Sequence, residues 1–249
     1  MYFWTCWYTR RFRLAIYLLL GVVFVAMATV PAGMINPGGH WVFAKVTSPA
    51  QARIIWDEGV DHTIAVLLVL VLFAAADLGA LATGEDAKRR EIVFLVTRPR
   101  PRRHFIWTSW AAGIVQLIPL LGAPLLLSFT ILLRMTHTVF ASQLAVRGLE
   151  IFALAAAMYA LAFSLSVLTR SPQSGFQLAA FVILVYAGID YARSAPWFFF
   201  DWGHSAYYGA FALFDAGSQV FPFANIAFLA IATFALPIIA DVGFRRQDL

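Results

Sequence analysis

This chain of 249 residues contains six long apolar runs, which constrain its fold more than any other feature. A helix needs about 20 consecutive apolar residues to cross a bilayer, because its backbone groups must pair with each other inside the hydrocarbon. Hydrophobic residues make up 61% of the chain and charged residues only 12%, which excludes an ordinary soluble domain. The predicted spans are residues 14–34, 63–82, 105–133, 149–168, 176–191 and 223–240. The sequence therefore predicts an all-α integral membrane protein with six transmembrane helices, in which residues 1–249 form a single transmembrane domain.

Basic residues predict the orientation of these spans. Lys and Arg are enriched on the cytoplasmic side of membrane proteins because they resist translocation. Of the 18 Lys and Arg residues, thirteen lie on one side of the predicted spans and five on the other. Both termini are therefore predicted to be cytoplasmic, in a multi-pass protein of the plasma membrane, which is the inner membrane if the source is bacterial. The net charge of +5 fits anionic lipid and a cytoplasmic partner, and gives no independent support for binding nucleic acid.

Two further segments have the composition of a membrane surface. Residues 1–13, MYFWTCWYTRRFR, place large aromatic side chains ahead of three arginines. Aromatic rings favour the headgroup level and arginines reach lipid phosphates, so an amphipathic interfacial helix is predicted here, with a longer first span as the alternative. Residues 192–222 form an aromatic outer loop, which is too apolar for a solvated linker and too often interrupted by polar residues for a span.

The segment between the second and third spans, residues 84–104, combines acidic, basic and apolar groups. Glu85 and Asp86 suit the positive end of a helix dipole, and helix-forming residues continue to Val96 before two prolines end the helix. The pattern predicts a short amphipathic cytoplasmic helix. Anchoring to lipid explains its arginines, whereas docking into a groove of another protein also explains the apolar group beside its charged face. Docking is therefore the favoured interpretation.

The stretch GEDAKRREIVFLVTRPRPRRHF resembles the loop between the second and third spans of ABC transporter permeases of the type 2 exporter family. In that family an acidic helix start leads to a Leu-Leu-Ser-Arg-Pro-like ending, and residues 94–99 take those places here. The turn LTRSPQSG, the basic ending FRRQDL and the layout of six spans are also similar to that family. Arg90 and Glu91 depart from it, since the family often has Gly-Thr at these positions.

The resemblance implies that the chain is the transmembrane subunit of an ATP-driven exporter or lipid flippase. The sequence has no G-x-x-x-x-G-K-[ST] stretch, so ATP and Mg²⁺ would be bound by a separate ABC ATPase subunit and no cofactor by this chain. Two ATPase copies are expected, together with a second permease copy that forms a homodimer or a heterodimer. Residues 84–104 would then be the coupling loop. The resemblance implies ATPase contacts for Glu85, Asp86, Arg89, Arg90, Glu91, Phe94, Leu95 and Arg98.

Polar side chains within the spans are candidates for a translocation path, because a polar group is costly to place in hydrocarbon. Asp77 lies roughly 9 Å from the predicted cytoplasmic end of its helix, at 1.5 Å per residue. It either faces a path or pairs helices. Gln116, Ser164 and Tyr186 are the other candidates, with hydrogen bonding between helices as the alternative in each case.

Two local patterns predict packing rather than transport. Glu150 follows Arg147 by three residues, which favours an ion pair on one helix face. Small residues surround Asp77 and predict a close approach of helices. They are Ala75, Ala76, Gly79 and Ala80.

Two other classes of function stay open. One is an intramembrane enzyme that acts on a lipid or a peptide, and the other is a membrane scaffold that does not transport. Gln173-Ser174-Gly175 lies in a predicted cytoplasmic turn, where a serine protease of the membrane would need its serine within a span. The single cysteine, Cys6, and the five histidines have no metal-ligand spacing. No catalytic or metal-binding residue is therefore predicted.

Overall fold

The computed structural model of the protein describes residues 2–34, 67–82, 102–136, 141–194 and 223–246. These residues are helical throughout, apart from a two-residue turn, and contain no strand. The helices are α1 (Tyr2–Met34), α2 (Leu67–Ala82), α3 (Arg102–Thr136), α4 (Ala141–Thr169), α5 (Pro172–Ser194) and α6 (Phe223–Arg246). The predicted all-α fold is thus confirmed for the part of the chain that the structure describes.

Three of the helices are long and apolar enough to cross a membrane: residues Ile106–Arg134 of α3, Leu144–Thr169 of α4 and Ile226–Gly243 of α6. Leu67–Ala82 and Pro172–Val185 are shorter apolar helices. This supports the predicted membrane character. Six crossings, the cytoplasmic termini and the coupling helix stay predictions.

The N-terminal aromatic segment is helical. Residues 2–13 are predicted to lie in the interface or to lengthen the first span, and both arrangements stay predictions. Residues 2–13 and the predicted first span form one continuous helix, α1. The physical reason is local, since residues 9–14 contain no glycine or proline that would break the helix between the aromatic segment and the apolar run.

The chain divides into two compact units, and most helices contribute to both. The first unit comprises Met1–Arg11, Leu72–Leu117 and Ala153–Leu249. The second comprises Phe12–Val71 and Ile118–Phe152.

In the first unit, α2 packs closely on α4 through its small residues. A Cβ atom added to Gly79 would collide with the backbone carbonyl oxygen of Tyr159 and would lie 3.2 Å from the backbone nitrogen of Phe163. Only a glycine permits so close an approach of the two backbones. The predicted packing role of the stripe is therefore confirmed, and its members are all buried: Ala75, Ala76, Gly79 and Ala80.

In the second unit, glycines again mark the places where helices approach. A Cβ atom on Gly21 of α1 would lie 3.0 Å from the Pro124 ring of α3. A Cβ atom on Gly148 of α4 would lie 2.8 Å from the side chain of Leu125, also on α3. Helix α3 continues through both of its prolines, Pro119 and Pro124, as a single element.

The turn between α4 and α5 is as short as its sequence predicts. Arg170 adopts a left-handed conformation with φ of 54°, which ends α4. Ser171 then caps α5, because its hydroxyl oxygen accepts a hydrogen bond from the backbone N–H of Ser174 at 3.3 Å. Pro172 occupies the first helical position, where a missing N–H has no cost.

Candidate functional site

A buried hydrogen-bonded network joins four helices of the first unit through Ala82 of α2 and Ser109 of α3. Arg10 of α1 donates from Nη2 to the carbonyl oxygen of Ala82 at 2.7 Å and to Ser109 Oγ at 3.0 Å. The Ser109 hydroxyl of α3 donates to the same Ala82 oxygen at 2.7 Å. Tyr159 of α4 donates from its hydroxyl to the Ser109 carbonyl oxygen at 3.2 Å. We call Arg10, Ala82, Ser109 and Tyr159 the Arg10 network.

Each hydrogen bond of Arg10 and Ser109 in the Arg10 network has its own donor proton. The two N–H groups of Nη2 serve one acceptor each, and the Ser109 hydroxyl accepts from Arg10 while it donates to Ala82. The three atoms thus form a closed triangle, in which each of three helices is bonded to the other two. Bonds to a charged donor are stronger than neutral ones, so the two bonds of Arg10 are the strongest of the set.

Arg10 is only 3% exposed, so its charge lies inside the protein. The sequence placed it among three arginines reaching for lipid phosphates, and for Arg10 that interpretation is wrong. Arg11 and Arg13, its neighbours, are exposed as predicted. The difference follows from helix geometry, because successive residues are rotated by about 100° and only one of the three points to the network.

Glycines make room for the aromatic part of the network. A Cβ atom on Gly113 of α3 would overlap the ring and the hydroxyl of Tyr159. The ring of Tyr159 is fully buried, and it stacks on Phe163 with centroids 6.2 Å apart. The absence of a side chain at Gly113 therefore leaves the space from which the Tyr159 hydroxyl reaches Ser109.

A second side chain of α4 holds the same end of α2. Ser166 donates from Oγ to the carbonyl oxygen of Ala80 at 2.7 Å. The described part of α2 therefore ends in a region held by α1, α3 and α4.

Two of the predicted path residues are buried polar groups without a partner among the described residues. Gln116 is fully buried, and neither atom of its side-chain amide has a hydrogen-bond partner there. Ser164 is 3% exposed, and its hydroxyl likewise has none. A buried polar group without a partner is costly, so such groups call for an explanation beyond packing. Gln116 also lies on the face of α3 that carries Ser109 and Gly113, at spacings of seven and three residues.

The other two path candidates are less well defined. Asp77 is half-buried on α2, two residues before Gly79. Tyr186 lies on α5, but its side chain is outside the described residues. Among the described side chains, Gln116 and Ser164 are hydrogen-bonded neither to each other nor to Asp77.

The predicted coupling residues lie in a segment, 83–101, that is outside the described residues. They are Glu85, Asp86, Arg89, Arg90, Glu91, Phe94, Leu95 and Arg98. The described chain reaches Ala82 before this segment and resumes at Arg102 after it. Most of the predicted aromatic outer loop, from residue 195 onwards, is also outside the described residues.

The second unit contains an open apolar groove of about 470 Å³ between α3 and α4. Leu125, Phe129, Gly148 and Phe152 are among its lining residues, all of which are apolar, glycine or alanine. Gly122 also borders it, and a Cβ atom there would meet nothing within 4 Å.

The predicted ion pair between Arg147 and Glu150 is confirmed, because Arg147 Nη1 lies 3.4 Å from Glu150 Oε2.

Sequence reasoning missed Arg10, Ser109 and Tyr159 as members of one site. A signal existed for Ser109, because it shares a helix face with Gly113 and Gln116. No comparable signal existed for Arg10, whose partners lie 72 and 99 residues away along the chain. Within the described part of the chain, His, Cys, Asp and Glu form no group of three that would suit a metal ion.

Comparison of the chain with protein-family models, with curated proteins and with solved structures gave no match in any of the three.

Proposed function

We propose that this protein is the transmembrane subunit of an ATP-driven exporter or lipid flippase of the ABC type 2 class. It would work in the plasma membrane with a second permease copy and two copies of a separate ATPase that binds ATP and Mg²⁺. The observation that supports this most directly is the Arg10 network. Its acceptor Ala82, on α2, directly precedes the 83–101 segment. Ser109 lies on α3, two helical turns after that helix begins.

A coupling segment must pass its displacement to the helices on both sides of it. Helices joined only by lipid contacts would move independently, whereas α2 and α3 are hydrogen-bonded to each other through Ser109 and Ala82. The motif in residues 84–104, with its acidic start and its Arg98-Pro99 ending, supports the same assignment. Together they favour a transporter subunit over a membrane scaffold.

Each unit, taken by itself, has a feature that supports transport. Gln116 and Ser164 are buried polar groups without a partner among the described side chains, as expected for groups that meet a passing polar headgroup. The open apolar groove beside Gly122 has the lining that an acyl chain requires. Lipids are therefore the first cargo to test.

The decisive experiment uses the full chain in lipid vesicles with the ATPase encoded by the neighbouring open reading frame. We expect ATP-dependent movement of a fluorescent phospholipid between leaflets, and ATP hydrolysis that rises when both subunits are present. Replacing Arg89 and Arg90 by Glu, or Phe94 and Leu95 by Asp, should abolish both effects while membrane insertion persists. The matched control replaces Arg11 and Arg13 by Glu, since both are exposed and lie outside residues 84–104.

Two outcomes would contradict the proposal. Unchanged transport in the 89/90 and 94/95 variants would remove the coupling role from residues 84–104. Turnover of a lipid or peptide substrate with no ATPase present would instead identify an intramembrane enzyme.

A further inference from the structure

Arg10 occupies a position where an apolar residue would cost less. Burying a guanidinium carries a desolvation penalty, and an apolar side chain of similar volume often serves stability as well or better. One nitrogen of Arg10, Nη1, even has no hydrogen-bond partner among the residues described. Stability alone therefore does not explain why Arg10 is buried here. The hydrogen bonds of its other terminal nitrogen, Nη2, indicate a second role.

Nη2 is the atom of a third helix, α1, that bonds to both flanks of the 83–101 segment. It donates to Ala82, the residue immediately before that segment, and to Ser109, seven residues after α3 begins. Seven residues correspond to about 10 Å of helix, so the bond lies two turns from the start of α3. The Ser109–Ala82 bond alone allows one helix to pivot about the other. Arg10 of α1 prevents that pivoting, because it donates one hydrogen bond to α2 and another to α3.

We infer that Arg10 is a positioning residue that makes α1, α2 and α3 move together when the 83–101 segment is displaced. The inference rests on the proposed function and deepens it, since it names the side chain through which a force on the coupling loop reaches three helices. Without Arg10, displacement of the loop would change the separation of α2 and α3 and would be dissipated there. Arg10 thus determines the efficiency of coupling and does not contact ATP or cargo.

The chemistry of Nη2 decides which substitutions are informative. Both hydrogen bonds come from a single nitrogen, and the ammonium of a lysine has enough N–H donors for both acceptors once α1 moves closer by about one bond length, because the lysine side chain is one atom shorter. Arg10→Lys should therefore retain most of the effect. Arg10→Met fills similar space with no donor and should lose it. Ser109→Ala removes one corner of the triangle and leaves the Arg10–Ala82 bond, so it should have an intermediate effect.

The first measurement is a distance, and it requires no ATPase. Spin labels are placed at Leu81→Cys and His104→Cys in a Cys6→Ser background, with the full chain in lipid nanodiscs. We expect one narrow distance distribution for the parent protein, for Arg10→Lys and for the control Arg11→Met. We expect a distribution at least twice as wide for Arg10→Met. An unchanged width in Arg10→Met would overturn the inference.

The second measurement is the number of lipids moved per ATP hydrolysed, in the reconstituted system described above. Arg10→Met should bind the ATPase and hydrolyse ATP, but should move at least tenfold fewer lipids per ATP. Arg10→Lys should stay within threefold of the parent. A purely structural role would reduce the amount of folded protein without changing this ratio.

The two measurements separate the possible failures. A broadened distance with an unchanged ratio in Arg10→Met would overturn the coupling role of Arg10 and leave the proposed function intact. A parent protein that shows no ATP-dependent transport would refute the proposed function and this inference with it. If Arg10→Met fails to fold, Ser109→Ala decides, and an unchanged distance and ratio there would overturn the inference.

Discussion

Gly79 gives the sharpest test of how α2 and α4 pack, because any side chain at this position must displace backbone. In Gly79→Ala the new methyl group would meet the Tyr159 carbonyl oxygen and would lie 3.2 Å from both Ala162 Cβ and the Phe163 nitrogen. Ordinary contacts between carbon atoms lie near 3.5–4.0 Å. The two helices must therefore separate by several tenths of an ångström, since no flexible side chain can move aside.

The magnitude combines two opposing effects. Overpacking of this kind costs about 1–3 kcal/mol, and contact with backbone places Gly79→Ala in the upper half of that range, at about 2–3 kcal/mol. Replacing a helical glycine by alanine recovers about 0.5–1 kcal/mol of conformational free energy. The net destabilisation should be about 1–2.5 kcal/mol. Separating α2 and α4 would also lengthen the Ser166–Ala80 hydrogen bond, which is 2.7 Å in the parent.

Gly122→Ala is the matched control, because a Cβ atom there meets nothing within 4 Å. It should gain the same 0.5–1 kcal/mol, roughly, with no steric cost. The two variants should therefore differ by about 2–3 kcal/mol. For a protein of this size that corresponds to a difference of about 4–12 °C in Tm. The free energy of unfolding in mixed micelles and the Tm in detergent both measure it. A Gly79→Ala protein as stable as Gly122→Ala would refute the packing argument.

Three further predictions concern the Arg10 network, the α4–α5 turn and the candidate path. Tyr159→Phe should lower the free energy of unfolding by about 0.5–1.5 kcal/mol, because it removes the bond to Ser109 but keeps the ring; a loss above about 3 kcal/mol would contradict this. Arg170→Gly should be about 1 kcal/mol more stable than Arg170→Ala in the same assay, since both lack the arginine side chain and only glycine adopts a φ of 54° without strain; equal stabilities would contradict it. Gln116→Leu should raise the free energy of unfolding by about 1–2 kcal/mol, because it removes a buried amide without a described partner, and should reduce lipid transport; a stabilised protein with unchanged transport would exclude Gln116 from the path.

The exposed surfaces fit a membrane environment. Most of the apolar segment of α4 is buried, whereas most of those of α3 and α6 are not. Large apolar side chains on α5 and α6, such as Phe181 and Ile231, are 64% and 68% exposed. A water-soluble protein would rarely expose so many apolar side chains together, but lipid tails solvate them without penalty.

Several features followed from the sequence because their causes are local. Apolar runs of about 20 residues predict helices whatever their partners, since the backbone bonds within the run itself. The Arg147–Glu150 ion pair depends on two residues three positions apart on one helix. The small-residue stripe at Gly79 was also predictable, because close approach of helices in membranes requires small residues whichever helix provides the partner.

The tertiary structure alone decided where Arg10 lies. Its sequence neighbourhood is that of an arginine at a lipid surface, and Arg11 and Arg13 are indeed exposed. The acceptors that hold Arg10 come from Ala82 and Ser109, which are brought together only when α2 and α3 pack beside α1. Likewise, Gly113 makes room for Tyr159, whose hydroxyl bonds a residue 50 positions away. Hydropathy is a property of each segment, but the pairing of a buried charge depends on which distant segments meet, and that is determined only by packing.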